Sequence, residues 1–271
     1  MPEGDAVKRT SQRLDRALAG QVLLASDFRV PQLATTDLAG ARVTGTATHG
    51  KHLLTRLELP DGGRLTLHTH LKMEGSWHVV PAGRRWSRPA HEARVVLRTA
   101  RVSAVGFALG LVELLPTSEE HTVVGHLGPD LLGPWTGDDE AEAVRRLTAH
   151  PDRPLGEALL DQTVVAGLGT IWVAESCFVE GANPLAPVRA LRDPLKFLRR
   201  ARLMLRSAVP NGRPVTTGDR RDPLWIYRRQ RQPCRRCGTT VRAGQLGDEG
   251  RERTTYWCPS CQPLHQPEKP L

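Results

Sequence analysis

The chain has 271 residues, 39% of them hydrophobic and 25% charged; this composition excludes wholesale disorder, and at roughly 150 residues per domain the length favours two domains over one. Lysine and arginine outnumber aspartate and glutamate by 38 to 29, giving a formal charge of +9 and a pI near 9.9, which points to a polyanionic partner. No apolar run approaches the ~18 residues of a membrane span, and the start, MPEGDAVKR, lacks the apolar stretch of a secretory signal, so a cytoplasmic chain without membrane contact is expected. There the five cysteines stay reduced, and CxxC pairs read as metal ligands, not disulfides.

In chain order, the first element is a helix from Asp5 to Leu18, with Val7, Ser11, Leu14 and Leu18 on one stripe and Gly20 as its stop. Leu53 to Leu59 and Leu65 to Leu71 alternate apolar and polar residues around the turn Pro60-Asp61-Gly62-Gly63, and further strands are read at 76–80, 93–99 and 102–115. Residues 1–115 are therefore expected to form an N-terminal helix plus an antiparallel β-sandwich of about six to eight strands. Residues 116–138 carry prolines, glycines and histidines without periodicity and read as a linker.

Helices are expected at 139–149, 155–161, 170–180 and 194–208, the last opened by Asp193 as N-cap and Pro194 at the first helical position. Its Leu195, Leu198, Ala201 and Leu205 line one side and leave Arg199, Arg200, Arg202 and Arg206 outside. A polar loop at 209–224 completes a helical domain over 139–224; 225–262 is a cysteine-bearing module, and 263–271 a Pro-rich tail expected to be disordered. The fold class is thus α+β and multidomain.

The basic excess is uneven. Residues 199–242 hold thirteen arginines against only Asp219 and Asp222. Such a run can be a solvated surface, but like charges repel unless something neutralises them, and a phosphate backbone does so with release of counterions.

Cys234-x2-Cys237 and Cys258-x2-Cys261 carry the most specific chemistry. Four thiolates in two knuckles are the tetrahedral sulfur set of one structural zinc ion, with no open position for catalysis. Thr239-Thr240-Val241, a turn with Gly244 and Gly247, and Thr254 to Trp257 read as a β-hairpin between the knuckles, and Cys177 reads as a small core residue. Leu160 to Thr170 is a glycine-flanked turn (Gly167, Gly169) running into a helix; its free N–H groups suit a phosphate, and a tight interhelical turn would use the same glycines. Pro2, once the methionine is removed, is a secondary amine beside the positive end of a helix dipole, able to attack a sugar carbon, with Glu3 as proton donor or acceptor. The same three residues also begin many proteins with no such chemistry.

Together, and in this order, Met1-Pro2-Glu3-Gly4, Gly50-Lys51-His52-Leu53-Leu54, His70-Leu71-Lys72-Met73-Glu74-Gly75, Leu160 to Glu175 and Ile226 to Gln262 resemble the formamidopyrimidine-DNA glycosylase/endonuclease VIII family. The PEGD start resembles actinobacterial members of the endonuclease VIII branch. The resemblance implies a helix–two-turn–helix domain with a β-hairpin zinc finger, and base excision repair of oxidised bases by glycosylase and AP-lyase activity. Pro2 would be the Schiff-base nucleophile, Glu3 the proton carrier, Lys51 and Arg253 phosphate-binding members of the catalytic site. Lys72, Met73, Gly167, Gly169, Thr170 and Arg229 would contact DNA, Met73 as the wedge behind a flipped nucleotide, although a methionine at a strand end can equally be core.

Ala6, Thr170, Arg228 and Arg231 depart from the family, which commonly has glutamate, asparagine and two glycines there. Val105-Gly106-Phe107 lacks the wedge arginine of purine-directed members, and the loop before Tyr227 is short for their lid, so oxidised pyrimidines are the expected lesion. The expected partner is damaged double-stranded DNA, with single-stranded or abasic DNA as further candidates, and the chain is expected to act as a monomer. The competing reading is a DNA-binding protein of the same fold, specialised for abasic sites or without efficient base excision. A zinc-ribbon RNA-binding protein would explain neither the N-terminus nor the two-turn.

Overall fold

The computed structural model describes residues 2–250 and 252–264; Met1 and, beyond Pro263 and Leu264, the tail expected to be disordered lie outside the described residues. Two compact units divide between His126 and Leu127.

In the first unit, helix α1 (Gly4–Leu18) buries Val7, Ser11, Leu14 and Leu18, the stripe that the sequence spacing indicates. Eight strands follow: β1 (Ala25–Phe28), β2 (Arg42–His49), β3 (His52–Glu58), β4 (Arg64–His70), β5 (Ser76–Pro81), β6 (Ala93–Arg98), β7 (Val102–Phe107) and β8 (Leu111–Pro116). They make two four-stranded antiparallel sheets, ordered β2-β3-β4-β8 and β1-β6-β7-β5. Helix α1 lies against β2 and β5, an edge strand of each sheet, and closes the core on that side. Leu53, Leu57, Leu67, Trp77, Val95 and Leu97 fill that core.

One expectation is corrected. The apolar run 102–115 is not one strand: it breaks at 108–110, where Ala108 takes φ +45°, and its halves pair in different sheets. A continuous run cannot show which partner each half finds. Residues 117–124 fold as a helical turn and a short helix, α2 (Glu120–Val124), whose Glu120 receives two guanidinium bonds from Arg56 on β3, both 2.7 Å.

The second unit is built from α3 (Gly137–Thr148), α4 (Leu155–Leu160), α5 (Thr170–Val179), α6 (Pro194–Asn211) and a hairpin of β9 (Arg242–Leu246) and β10 (Arg253–Trp257). Its core is Leu147, Leu159, Val165, Leu168, Trp172, Phe197 and Leu205 with their neighbours. Asp193 caps α6 through Lys196 N (2.8 Å), with Pro194 opening the helix. Leu198, Ala201 and Leu205 are buried as the spacing implies, whereas Leu195 is only half-buried. Arg202 is not left outside: its guanidinium lies 5.4 Å from the Trp135 ring centre and bonds Gly133 O. Cys177 is fully buried, and burial pushes its thiol pKa up.

The hairpin expectation is also corrected. The first strand is 242–246, so Gly244 sits within it opposite Thr255, and Thr240 makes only an isolated bridge to Pro233. The β-rich letters Thr-Thr-Val are spent closing the first knuckle, through Cys234 N to Thr239 O (2.9 Å) and Val241 N to Gln232 O (2.9 Å).

Candidate DNA-binding and catalytic site

In the first unit, helix α1 runs antiparallel along β2. Asp15 accepts from Thr46 N (2.8 Å), Ser11 bonds Thr46 O (2.9 Å), and Lys8 reaches Thr48 (3.4 Å). Continuing that direction, Glu3 and Pro2 fall beyond Thr48, at the end of β2 where Gly50 and Lys51 turn the chain into β3. His52 pairs with His70, so the β4–β5 turn carrying Lys72 and Met73 lies at this same end. The fold therefore gathers Pro2, Glu3, Lys51, Lys72 and Met73 on one rim of the first unit. Glu3 is buried at 2% exposure, while Met73 is 66% exposed and is no core residue.

The Met73 turn is held tightly. Lys72 takes φ +52°, and its N–H donates to His70 Nδ1 (2.9 Å), which fixes the acceptor nitrogen of that ring. Gly110 N bonds His70 O (3.1 Å), and a Cβ on Gly110 would stand 2.2 Å from Lys72 Cγ; only glycine admits this approach.

Behind Lys51 runs a line of rings that the sequence does not announce. His68 Nδ1 lies 3.0 Å from Glu113 Oε2, His52 Nδ1 lies 2.8 Å from His68 Nε2, and the His70 ring stands edge-on to His52 at 5.0 Å. Burial, and then the neighbouring His70 and His68, lower the His52 pKa to about 3. Burial followed by Lys72 and Lys51 lowers that of His70 to about 4. Both rings are thus neutral near pH 7, and the lysines carry the positive charge of the rim.

A pH dependence follows. Both folded-state values lie below the ordinary one of 6.5, so the unfolded chain takes up protons that the folded chain refuses. Their contribution to stability is complete above about pH 6.5 and is lost as the pH falls toward the folded values, with a slope of at most about 1.4 kcal/mol per pH unit for each ring, reduced by the part of each still facing water. Urea unfolding between pH 7 and 5 should show this slope, and His52→Gln with His70→Asn should flatten it.

In the second unit, Gly167 has φ +110°, and Gly169 is the N-cap of α5 with Thr170 its first residue. The turn is braced by Gln162, whose Oε1 accepts from Gly167 N (3.1 Å) and whose Nε2 bonds Leu160 O (2.9 Å) and Leu168 O (3.0 Å). Sulfurs of Cys234, Cys237, Cys258 and Cys261 lie within 4.8 Å of one another. A tetrahedral zinc with Zn–S of about 2.3 Å needs sulfurs roughly 3.8 Å apart, so this donor set fits such an ion, and these four residues would hold it. Arg236 N (3.4 Å) and Cys261 N (3.5 Å) point at the Cys234 and Cys258 sulfurs, as donors to thiolates would.

Arg253 is exposed at the start of β10. Arg229 is placed differently: it bonds Trp225 O (3.0 Å), Pro233 O (3.0 Å) and Gln232 Oε1 (3.2 Å), spending its guanidinium on the fold of the first knuckle. Of the thirteen arginines in 199–242, only Arg199, Arg200 and Arg235 have carboxylate partners among the described residues.

Residues 1–108 match the family model described as the formamidopyrimidine-DNA glycosylase N-terminal domain. Across 97% of its length, and 94% of the relative's, the chain is 50% identical to a Streptomyces coelicolor protein named probable endonuclease 8 2. The chain belongs to the formamidopyrimidine-DNA glycosylase/endonuclease VIII family. It is 46% identical to the DNA-(apurinic or apyrimidinic site) lyase Nei2 of Mycolicibacterium smegmatis, over 97% of this chain and 99% of that protein. The fold is that of Lactococcus lactis Fpg solved with abasic-site DNA: TM-score 0.78 at 22% identity, covering 96% and 99% of the two chains.

Within this family two departures gain a structural meaning. Arg228 and Arg231, where the family resemblance leads one to expect glycines, take left-handed backbone with φ +57° and +63°, the region that favours glycine. Each holds a left-handed conformation that costs an ordinary residue about 1 kcal/mol or more. Sequence reasoning also passed over Glu175, Gln162 and Gln262. Gln262, at 0% exposure, accepts from Cys258 N (2.9 Å) and donates to Ala182 O (2.7 Å), tying the second knuckle to the end of α5. Gln162 and Gln262 stand in polar stretches with no periodic signature, whereas Glu175, a single carboxylate within the apolar helix Thr170–Val179, was a signal the sequence did offer.

Proposed function

We propose that the chain is a bifunctional DNA glycosylase and AP lyase of base excision repair, directed to oxidised pyrimidines, with Pro2 as nucleophile. The observation that carries this reading is the gathering of Pro2, Glu3, Lys51 and Met73 on one rim, with Glu3 buried and Met73 projecting. The Pro2 nitrogen attacks C1′ of the flipped nucleotide and the bond to the base breaks. The attached nitrogen sheds its proton, the departing base takes one up, and the lone pair thus freed forms an iminium as the C1′–O4′ bond breaks, with Glu3 protonating the ring oxygen. Removal of a C2′ proton expels the 3′ phosphate, and Lys51 stabilises charge on a phosphate oxygen. Met73 fills the gap left in the stack.

The pyrimidine preference draws on 212–224, which is spent on compact turns: Thr216 N bonds Pro223 O (2.7 Å), and Trp225 Nε1 bonds Thr216 O (3.0 Å), leaving little chain for a lid. Borohydride trapping on duplexes carrying an abasic site, an oxidised pyrimidine or oxidised guanine tests the whole reading. Trapping on the first two is expected, and failure on all three would overturn it.

Zinc on the four cysteines would be structural, since four sulfurs leave no open position and the ion's role there is to cross-link the hairpin. Cys234→Ser should release about one zinc per chain and weaken DNA binding before the first unit unfolds. Metal analysis with a binding assay checks this, and a metal-free wild type would refute it.

The uncompensated arginines should make log affinity fall with log salt by about 0.9 per phosphate contacted, and Arg253→Ala should reduce the slope by about one. Arg228→Gly with Arg231→Gly should relieve left-handed strain and raise the melting temperature, while weakening DNA binding through two lost charges.

A further inference from the structure

The 82–90 loop leaves the end of β5, crosses the outer face of the β1-β6-β7-β5 sheet and returns at β6. Between it and the sheet lies a groove of 1090 Å³ whose floor includes Leu24, Ala25 and Arg98. These floor residues sit at the Pro81 and Val102 end of the strands, whereas the Met73 turn precedes Ser76 at the other end. Five strand steps, roughly 17 Å, therefore separate this floor from the catalytic rim, while Arg88, at the near edge of the groove, bonds Glu74 O (3.2 Å) and Ser76 Oγ (3.0 Å) beside the Met73 turn.

Its lining is of one sign. Arg84, Arg85, Arg88 and Arg98 border it with no aspartate or glutamate. Arg88 is held by Glu92 (2.6 Å), but Arg84, Arg85 and Arg98 have no carboxylate partner among the described residues. The groove also offers aliphatic surface, since Leu24 is 63% exposed at its floor. Trp86 is the single aromatic in the lining, and its ring is already engaged, edge-on to Phe107 at 5.9 Å and covered by the Arg29 guanidinium at 5.4 Å. A nucleic-acid strand bound here would lack a stacking face for its bases, whereas carboxylates interleaved with aliphatic side chains would satisfy both the arginines and Leu24.

We propose that this groove docks an acidic peptide segment of a partner protein, with aliphatic residues among its carboxylates. A segment seated on the Leu24 and Arg98 floor would bring the enzyme to a partner without occupying the rim that meets the lesion.

The test uses the full-length protein and a short fluorescein-labelled peptide of alternating Asp and Leu, followed by anisotropy at physiological salt. Binding is expected, and an Asp/Ser peptide of equal charge should bind more weakly. Arg84→Glu with Arg85→Glu should weaken the Asp/Leu peptide by at least about tenfold, and Leu24→Asp by about fivefold, with cleavage of abasic duplex and melting temperature unchanged. No binding to wild type, or binding indifferent to these substitutions, overturns the proposal. Competition by oligothymidylate, with the reversals lowering DNA affinity in parallel, overturns it too and assigns the groove to nucleic acid.

Discussion

A chain whose initiator methionine is retained, or whose N-terminus carries any residue that is not removed, will form no borohydride-stable link to abasic DNA and will not cut it. In such a chain the Pro2 nitrogen is an amide, its lone pair delocalised and unavailable to a carbon electrophile. Nicking should fall by at least about a thousandfold, while binding persists because its affinity comes from phosphates contacted by arginine and lysine. Pro2→Gly is the weaker experiment, since it leaves a primary amine still able to form a Schiff base. Lys51→Ala should slow cleavage by about a hundredfold, the size of one preorganised charge removed, yet leave the trapped complex. Full trapping by the blocked chain would remove Pro2 from the role of nucleophile and transfer it to a lysine.

The largest stability effect is expected at Glu175. This carboxylate is 0% exposed and accepts from four donors: Ile226 N, Tyr227 N and Trp225 N, each at 2.9 Å, and the Thr216 hydroxyl. It joins α5 to the chain entering the first zinc knuckle, so the knuckle's position depends on it. Glu175→Ala leaves the Trp225, Ile226 and Tyr227 N–H groups without their acceptor, while the Thr216 hydroxyl keeps Pro223 O (3.2 Å); a loss of about 3–5 kcal/mol is expected, or roughly 10 °C of melting temperature for a domain of this size. Glu175→Gln keeps the shape but turns an NH2 toward amide donors, and about half the loss is expected. Thermal melts followed by tryptophan fluorescence read this directly, with Trp225 beside the substituted residue. An unchanged melt would mean that the 225–227 segment is held by other contacts.

Elements whose information is local were legible. Helix α1 followed from a four-residue stripe, β3 and β4 from alternation about a Pro-Asp-Gly-Gly turn, and α6 from Asp193 and Pro194, because side-chain period and capping chemistry act within one or two turns. The cysteine spacing likewise identified the four sulfurs that converge. The run 102–115 failed for the opposite reason: where one apolar stretch passes from sheet to sheet depends on partners distant in the chain.

By itself the sequence determined the family, the sulfur cluster and the residues proposed for chemistry, since each is written in adjacent letters or fixed spacings. Only the tertiary structure decided that Met73 projects into solvent and that Arg229 is consumed by the knuckle. It alone shows that Arg228 and Arg231 take left-handed backbone, and that His52, His68 and Glu113 form one line. These contacts join residues far apart in the chain or depend on backbone angles, and a hydrogen bond across a fold leaves no period in the sequence from which it could be read.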